Sequence, residues 1–276
     1  MAERRWAARG APVAAAYLAL LRGQVRSQTS YRASFTVDLV SNLLVTVGDV
    51  IAILVLFRVT TELAGFSRSE ALVVVGLSAC AFACADLAVG NIDQLRRYVR
   101  TGLLDALLVR PLGALPQLLA MDLPLRKVSR AGFGVTVLVV FLALADIDWT
   151  PSKVALAVAA PVGGAAFFAA VFIAGATVAF WWIESGELAN SVTYGGREIA
   201  YYPMTVYEGA FRRLFGFGLG FAFVAYYPAL ALLGREDPLG LPGWVGWVAP
   251  AVALPAAGVA AVAWRVGIRH YRSTGS

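Results

Sequence analysis

Long apolar stretches alternate with short polar ones along most of the chain. A helix needs about 20 apolar residues to cross the hydrocarbon of a membrane, and six segments approach or exceed that length. They are residues 33–57, 71–92, 128–145, 154–183, 214–234 and 245–266, named here spans 1 to 6. The pattern predicts an all-α polytopic membrane protein with six transmembrane helices. Residues 1–276 then form a single transmembrane domain, with spans 1–3 in residues 33–145, spans 4–6 in residues 154–266 and a cytoplasmic tail at 267–276.

The residues before span 1 combine a basic start with a short apolar core at 13–21. A signal peptide begins in the same way. Here, however, Arg22, Arg26 and Arg32 follow the core, as expected for a helix that lies in the membrane interface. We therefore expect an uncleaved, amphipathic helix within residues 1–32 that leads into span 1.

A polar stretch with helical periodicity, residues 91–111, separates spans 2 and 3. Ile92, Leu95 and Val99 are spaced so that one helix face can pack on apolar material while the opposite face stays in water. Thr101 and Gly102 are expected to break this helix, after which an apolar face resumes. The pattern is consistent with a helical element at the cytoplasmic membrane surface or with an ordinary solvated basic loop. The arginines of the stretch are Arg96, Arg97, Arg100 and Arg110.

The charge distribution supports a membrane protein and predicts its orientation. Charged residues make up 14% of the chain, against about 25% in soluble domains. The net charge of +6 does not indicate a nucleic-acid partner, because the arginines lie in separate loops without interleaved aromatic residues. On the six-span topology, 19 of the 23 basic residues lie on the side of the N-terminus. The positive-inside rule therefore predicts a multi-pass protein of the cell inner (plasma) membrane with both termini in the cytoplasm.

Two connections in the second half carry unusual sequences. Residues 184–213 are assigned to the cytoplasmic side, with breaks at Gly195–Gly196 and Pro203 and with glutamates paired to nearby arginines, including Arg197 and Arg212. Residues 226–250 are rich in Pro, Gly and aromatic residues. They predict either a partly re-entrant outer segment, with its backbone buried in protein, or a simple outer loop.

The sequence offers little for catalysis. It contains neither GxSxG nor HExxH, and its single histidine is His270 near the end. A Walker A loop is excluded because Lys127 and Lys153, the only lysines, follow Arg126 and Ser152 rather than a glycine-rich turn. We expect a non-catalytic chain without a metal site or cofactor, in which any ATP-driven work uses a separate subunit.

Three carboxylates fall inside predicted spans: Asp38, Asp49 and Asp86. Charged groups at that depth are costly, so they are candidates for function. In an ion-coupled secondary transporter they would relay a proton or cation, with Asp49 the deepest. Alternatively, the three carboxylates pair with arginines or form hydrogen bonds between helices. We favour this structural role for Asp38 and Asp86.

Four sequence segments together resemble the permease subunits of the type-2 ABC exporter class, the ABC-2 family transporter proteins. They are SQTSYRASF at 27–35, GLLDALLVRPL at 102–112, FWWIESGELANSVTYGGREIAYYP at 180–203 and FAFVAYYPALALLG at 221–234. Each motif is weak alone, but with the six spans they cover nearly the whole chain in a consistent order.

The resemblance implies a mechanism. Residues 91–111 would form a coupling helix on a separate nucleotide-binding ATPase, which holds the ATP and Mg, and a second permease subunit, identical or related, would complete the substrate pathway. Tyr226 and Tyr227 are candidates to face an amphipathic, lipid-like cargo or to pack. The alternatives are the ion-coupled carrier and a membrane-embedded enzyme or scaffold. The residues expected to couple to the ATPase are Gln94, Arg96, Arg97, Arg100, Gly102, Asp105 and Arg110.

Overall fold

The structure is a computed structural model that describes residues 32–110, 113–120, 125–182 and 186–271. Its regular elements are helical throughout the described ranges. A 3₁₀ segment, Gly90–Gln94, joins the second and third helices, and a π-helix, Arg212–Gly218, continues the ninth. The helices are α1 (Arg32–Val59), α2 (Arg68–Val89), α3 (Leu95–Arg100), α4 (Leu103–Leu108), α5 (Ala114–Ala120), α6 (Leu125–Leu144), α7 (Pro151–Thr177), α8 (Gly186–Tyr201), α9 (Gly209–Phe211), α10 (Tyr226–Leu233), α11 (Val245–Val248) and α12 (Ala253–His270).

Four helical runs in the described ranges are long and apolar enough to cross a membrane, and a bent pair raises the number to as many as five. The four runs correspond to predicted spans 2, 3, 4 and 6, and the bent pair corresponds to span 5. Span 1 falls in α1, where the described residues yield only the shorter apolar helix Val50–Val59. The four runs are Arg68–Arg100, Lys127–Leu144, Pro151–Phe180 and Val245–His270.

Helix α2 is the centre of the bundle. It packs on α6, α7 and α8, and Val73, Val74 and Leu77 on it are fully buried. Small residues allow the close approach: a methyl group on Gly134 of α6 would lie 3.2 Å from the Cα of Cys80. Small residues at helix contacts let backbones pack closely inside a membrane, where apolar surface alone provides little driving force.

Contacts between distant residues define two ends of the bundle. At the first end, the Arg235 guanidinium lies 2.6 Å from the Glu70 carboxylate, which caps the start of α2. At the second end, the Lys127 ammonium lies 2.8 Å from the Asp86 carboxylate. The Phe180 ring also packs edge-on against Trp264 there, with centroids 5.5 Å apart.

The connection predicted at 184–213 is largely a helix. Helix α8 packs along α2 and α7, and Gly195 and Gly196 lie inside it, so the predicted break at these glycines is wrong. Gly196 is required by packing, because a side chain there would overlap the Phe221 ring. The predicted break at Pro203 is confirmed, since α8 ends at Tyr201. The sequence of α8 resembles that of a loop, because only one face of the helix is apolar and polar residues therefore interrupt the apolar ones.

Predicted span 5 is broken rather than straight. The segments Gly209–Gly218 and Phe221–Leu233 meet at an angle of 62°, where Gly220 adopts φ of +92°, a conformation that favours glycine. Met204 and Tyr226 lie in one apolar cluster with Phe66 at the first end. Gly220 lies between them in sequence but contacts Phe167 instead. Phe167 is about 24 Å from the start of α7. The chain therefore dips from the first end and returns to it, and we call residues 209–233 the hairpin.

This path also corrects the placement of Arg212. The sequence placed it with Arg96 at the same side of the membrane. In the structure its helical segment packs at the first end, because Gly216, one turn further on, meets Met204, which lies in the apolar cluster with Phe66. Arg212 therefore lies at the end opposite Arg96, because the chain has already crossed the bundle through α8.

Candidate functional site

The described residues between α2 and α6, 90–110 and 113–120, form a compact cap at the second end of the bundle. The helical run from α2 continues through Gly90–Gln94 into α3 and ends at Arg100. Ile92, Leu95 and Val99 are buried, so the predicted packing face is confirmed. The element is not a separate surface helix, however. It extends α2 directly, so a displacement of the cap acts on the helix at the centre of the bundle.

The coupling residues predicted in α3 differ in exposure. Gln94, Arg97 and Arg100 are exposed, as a face for a partner requires. Arg96 is half-buried, and its guanidinium packs against Gly186 at the start of α8. Arg96 therefore also holds α8 to the cap.

A sharp turn connects α3 and α4. Gly102 has φ of +68°, where a side chain would be strained, and the Thr101 hydroxyl donates a 2.8 Å hydrogen bond to the Arg97 carbonyl. This confirms the break predicted at Thr101 and Gly102. Helix α4 then buries Leu104 and Leu107, and Arg110 is exposed beyond it.

Asp105 is directed towards the chain's last described residue. Its carboxylate faces the Tyr271 hydroxyl, just past α12, and burial together with this carboxylate raises the pKa of Tyr271 to about 12. The Tyr271 ring in turn packs against Phe180, with centroids 6.1 Å apart. Asp105 thus connects the cap to the ends of α7 and α12.

Two amides fasten the cap internally. The Asn91 side chain donates a 2.6 Å hydrogen bond to the Leu118 carbonyl in α5. The Gln117 side chain donates one of 3.1 Å to the Leu107 carbonyl at the end of α4. Both amides are buried, where such bonds are costly to lose. The elements between Gly90 and Ala120 are therefore linked by side chains that the sequence pattern did not single out.

An ion cluster joins the end of α2, beside the cap, to α6. Asp86 is 4% exposed, and its carboxylate lies 2.8 Å from the Lys127 ammonium and 3.4 Å from the Arg130 guanidinium. The expectation that Asp86 pairs with basic residues is confirmed, and this pairing leaves it poorly suited to relay ions. The side chains of Asp38 and Asp49, the other carboxylates considered for that role, lie outside the described residues, as do residues 1–31 of the interfacial helix predicted within residues 1–32.

Helix α8 carries a polar face that is exposed in the described part of the chain, apart from the Tyr194 ring, which packs against Phe82 and Phe172. Glu187, Ser191, Tyr194 and Glu198 recur at helical spacing and are exposed. The Tyr194 hydroxyl donates a 3.3 Å hydrogen bond to Asp93 at the cap. Only one of the four polar groups is thus fixed to the rest of the bundle, and the face extends over nearly the full helix.

Arg197 lies beside this polar face but points inward. Its guanidinium stacks on the Tyr201 and Phe82 rings, 4.6 and 5.5 Å from their centroids, and donates two hydrogen bonds to the Tyr201 hydroxyl. It also lies 3.6 Å from the Glu198 carboxylate. The predicted pairing of the glutamates in this region is therefore confirmed for Glu198.

Tyr226 and Tyr227 are buried at the first end, 1% and 2% exposed. Their hydroxyls donate hydrogen bonds of 2.7 and 3.2 Å to the two oxygens of Asp237. This arrangement agrees with a packing role, and their role in a pathway stays a prediction. Sequence reasoning missed Asp237, which resembled an ordinary outer-loop acid. Its position in a Pro- and Gly-rich connection was the available signal.

The described ranges hold no group of three or more His, Cys, Asp or Glu side chains able to bind a metal. The chemistry of the arrangement is instead mechanical and electrostatic, with a cationic cap at one end and a polar helix face through the bundle. The profile described as "ABC-2 family transporter protein" matches residues 43–275. No curated protein and no solved structure matches the chain.

Proposed function

This chain belongs to the ABC-2 family of transporter proteins, and we propose that it is the permease subunit of an ATP-driven exporter. In this proposal it is a non-catalytic, multi-pass subunit of the plasma membrane. Its six spans are α1, α2, α6, α7, α8 and α12, and α8 takes the place of the predicted span 5. Both termini and the cap are cytoplasmic, and residues 1–32 include an interfacial helix. Separate ATPase subunits bind ATP and Mg, and a second permease completes the pathway.

The observation that carries the proposal is the construction of the cap. Its exposed face presents Arg97 and Arg110, while its buried face is continuous with α2. A hydrogen bond within the cap, from Asn91 to α5, and the adjacent Asp86 cluster between α2 and α6 make it stiff. A stiff element that packs on several spans can transmit a rigid-body motion from an ATPase to the bundle. Within that contact, Gln94 and Arg100 extend the exposed face, Gly102 shapes the turn, and Arg96 and Asp105 relay to α8 and α12.

The polar face of α8 favours the proposal that a second permease subunit is present. Charged groups that face hydrocarbon are costly, so in membranes such faces meet protein or a water-filled cavity. One chain leaves Glu187 and Glu198 uncovered in the described ranges. We therefore place this face on the pathway, opposite a second permease.

Purification of the tagged full chain from its native membranes tests the proposal. An ATPase with a Walker A loop should co-purify, and Arg97→Glu with Arg110→Glu should reduce its recovery at least tenfold, since charge reversal at a contact weakens binding. The matched control is Arg58→Glu, which reverses an exposed arginine at the other end of the bundle. If no ATPase is recovered in several mild detergents, or if both variants behave alike, the proposal is wrong.

A further inference from the structure

An apolar cavity lies between α7, α12 and the tip of the hairpin. Its volume is about 420 Å³. Its walls come from positions between 167 and 175 on α7, between 252 and 259 around the start of α12, and at 217–221 and 223 on the hairpin, with Val192 of α8 at one side. Every side chain that lines it is apolar or absent, as the lining contains only Phe, Leu, Val, Ala, Pro and Gly.

The cavity exists because two close contacts hold the helices together above and below it. Towards the first end, a methyl group on Gly163 would lie 2.6 Å from the Pro250 carbonyl oxygen. Towards the second end, Gly267 leaves room for the Phe180 ring. The cavity lies between these contacts, and Gly220 at the hairpin tip, which meets Phe167 and Val252, borders it from a third side.

The cavity opens sideways to the surroundings of the bundle. Leu219, Val259 and Val192 at its rim are 44%, 65% and 38% exposed. Both α7 and α12 belong to membrane-spanning runs, and Phe167 lies about 24 Å from the start of α7. The opening is therefore at the depth of the lipid hydrocarbon.

We propose that this cavity binds one acyl chain of a membrane lipid beside the hairpin tip. Water is disfavoured, because it needs several polar partners and the lining side chains supply none. The backbone at the break makes its own hydrogen bonds, from Leu219 N–H to the Leu214 carbonyl and from Phe223 N–H to the Gly220 carbonyl. A hydrocarbon chain therefore displaces no polar contact.

The dimensions of the groove favour a lipid chain over a helix of a second protein. The groove extends along α7 from Phe167 to Gly175, or about 12 Å. That length matches only about two turns of a helix, and a helix with its side chains is about 10–12 Å across. A flexible, unbranched chain enters such a space more readily.

Photo-crosslinking of the full chain tests the proposal. The chain is reconstituted in vesicles of phosphatidylcholine and phosphatidylglycerol that contain phospholipid with a diazirine near the middle of one acyl chain. Labelled peptides should include positions 167–175 and 252–259. Ala174→Phe fills the cavity and should reduce this labelling at least fivefold. Ala159→Phe, the same change at an exposed site of the same helix, should leave it unchanged.

A second cavity-filling variant controls for the possibility that misfolding, rather than filling, reduces the labelling. Ala256→Phe acts from the opposite wall, and each variant is used only if it elutes as a single folded species. Equal labelling of the filled variants and the wild type would overturn the proposal. So would a Val259→Cys variant that crosslinks efficiently to a second copy of the chain, since the opening would then be covered by protein.

Discussion

The Tyr226 hydroxyl donates a 2.7 Å hydrogen bond to the Asp237 carboxylate, and this contact joins the returning arm of the hairpin to the connection that follows it. Asp237 also accepts hydrogen bonds from Tyr227 and from the backbone N–H groups of Leu239 and Leu241. One carboxylate thus organises four donors at the first end. The hairpin, which contains an energetically costly break, is anchored there.

Removal of the Asp237 carboxylate should destabilise the protein. Asp237→Ala leaves two buried tyrosine hydroxyls unpaired, and we expect the free energy of unfolding to fall by about 3 kcal/mol. Tyr226→Phe removes one bond and should cost about 1 kcal/mol. Thermal unfolding in detergent measures both. The control is Glu236→Ala, at the exposed neighbouring position, and an equal loss in that variant would contradict the assigned role of Asp237.

The ion cluster at the other end should be sensitive to the loss of one partner. Asp86→Ala leaves Lys127 and Arg130 without the carboxylate that they share, and we expect a loss of about 3–5 kcal/mol. Adding Lys127→Met removes one of the uncompensated charges and should restore part of the stability. If the double variant is no more stable than Asp86→Ala in the same unfolding assay, the charge pairing does not explain the burial of Asp86.

Sequence periodicity predicted the features of the cap that depend on neighbours along the chain. The spacing of Ile92, Leu95 and Val99 predicts their buried face, and Thr101–Gly102 predicts the break, because each signal is local. Asp86 was predictable as a paired group, since an isolated charge at that depth is unfavourable. The identity of its partners depends on how α6 packs, which local patterns do not contain.

The hairpin and α8 were not predictable from apolar length. Residues 214–234 are apolar enough for one span, and only the contacts of Gly220 with Phe167 and of Tyr226 with Asp237 reveal the bend. Helix α8 looked like a loop because its polar face breaks the hydropathy signal. Such a face is stable at membrane depth only through contacts with other elements, or with water, that a hydropathy window does not include.

The left-handed backbone at Gly102 should make the cap sensitive to substitution there. Gly102→Ala places a side chain at φ of +68° and should destabilise the turn by about 1–2 kcal/mol. Hydrogen exchange of residues 95–110 should then accelerate roughly tenfold. Gly132→Ala, inside α6 with open space around it, should be neutral or slightly stabilising. Unchanged exchange in Gly102→Ala would show that the turn is not constrained.

Accessibility to a water-soluble thiol reagent should distinguish the two faces of α8. In a background without Cys80 and Cys84, the variants Ser191→Cys and Glu198→Cys lie on the polar face, and we expect both to react with a methanethiosulfonate reagent in the assembled transporter. Val192→Cys is one residue away but lines the apolar cavity, so we expect it to react at least tenfold more slowly. The ratio matters more than the absolute rate, because Ser191 and Val192 lie at nearly the same depth. Similarly fast reaction at Ser191 and Val192 would mean that water is not confined to the polar face, and that face would then not define the pathway. Slow reaction at both Ser191 and Glu198 would instead indicate that a second subunit covers the face without leaving a channel.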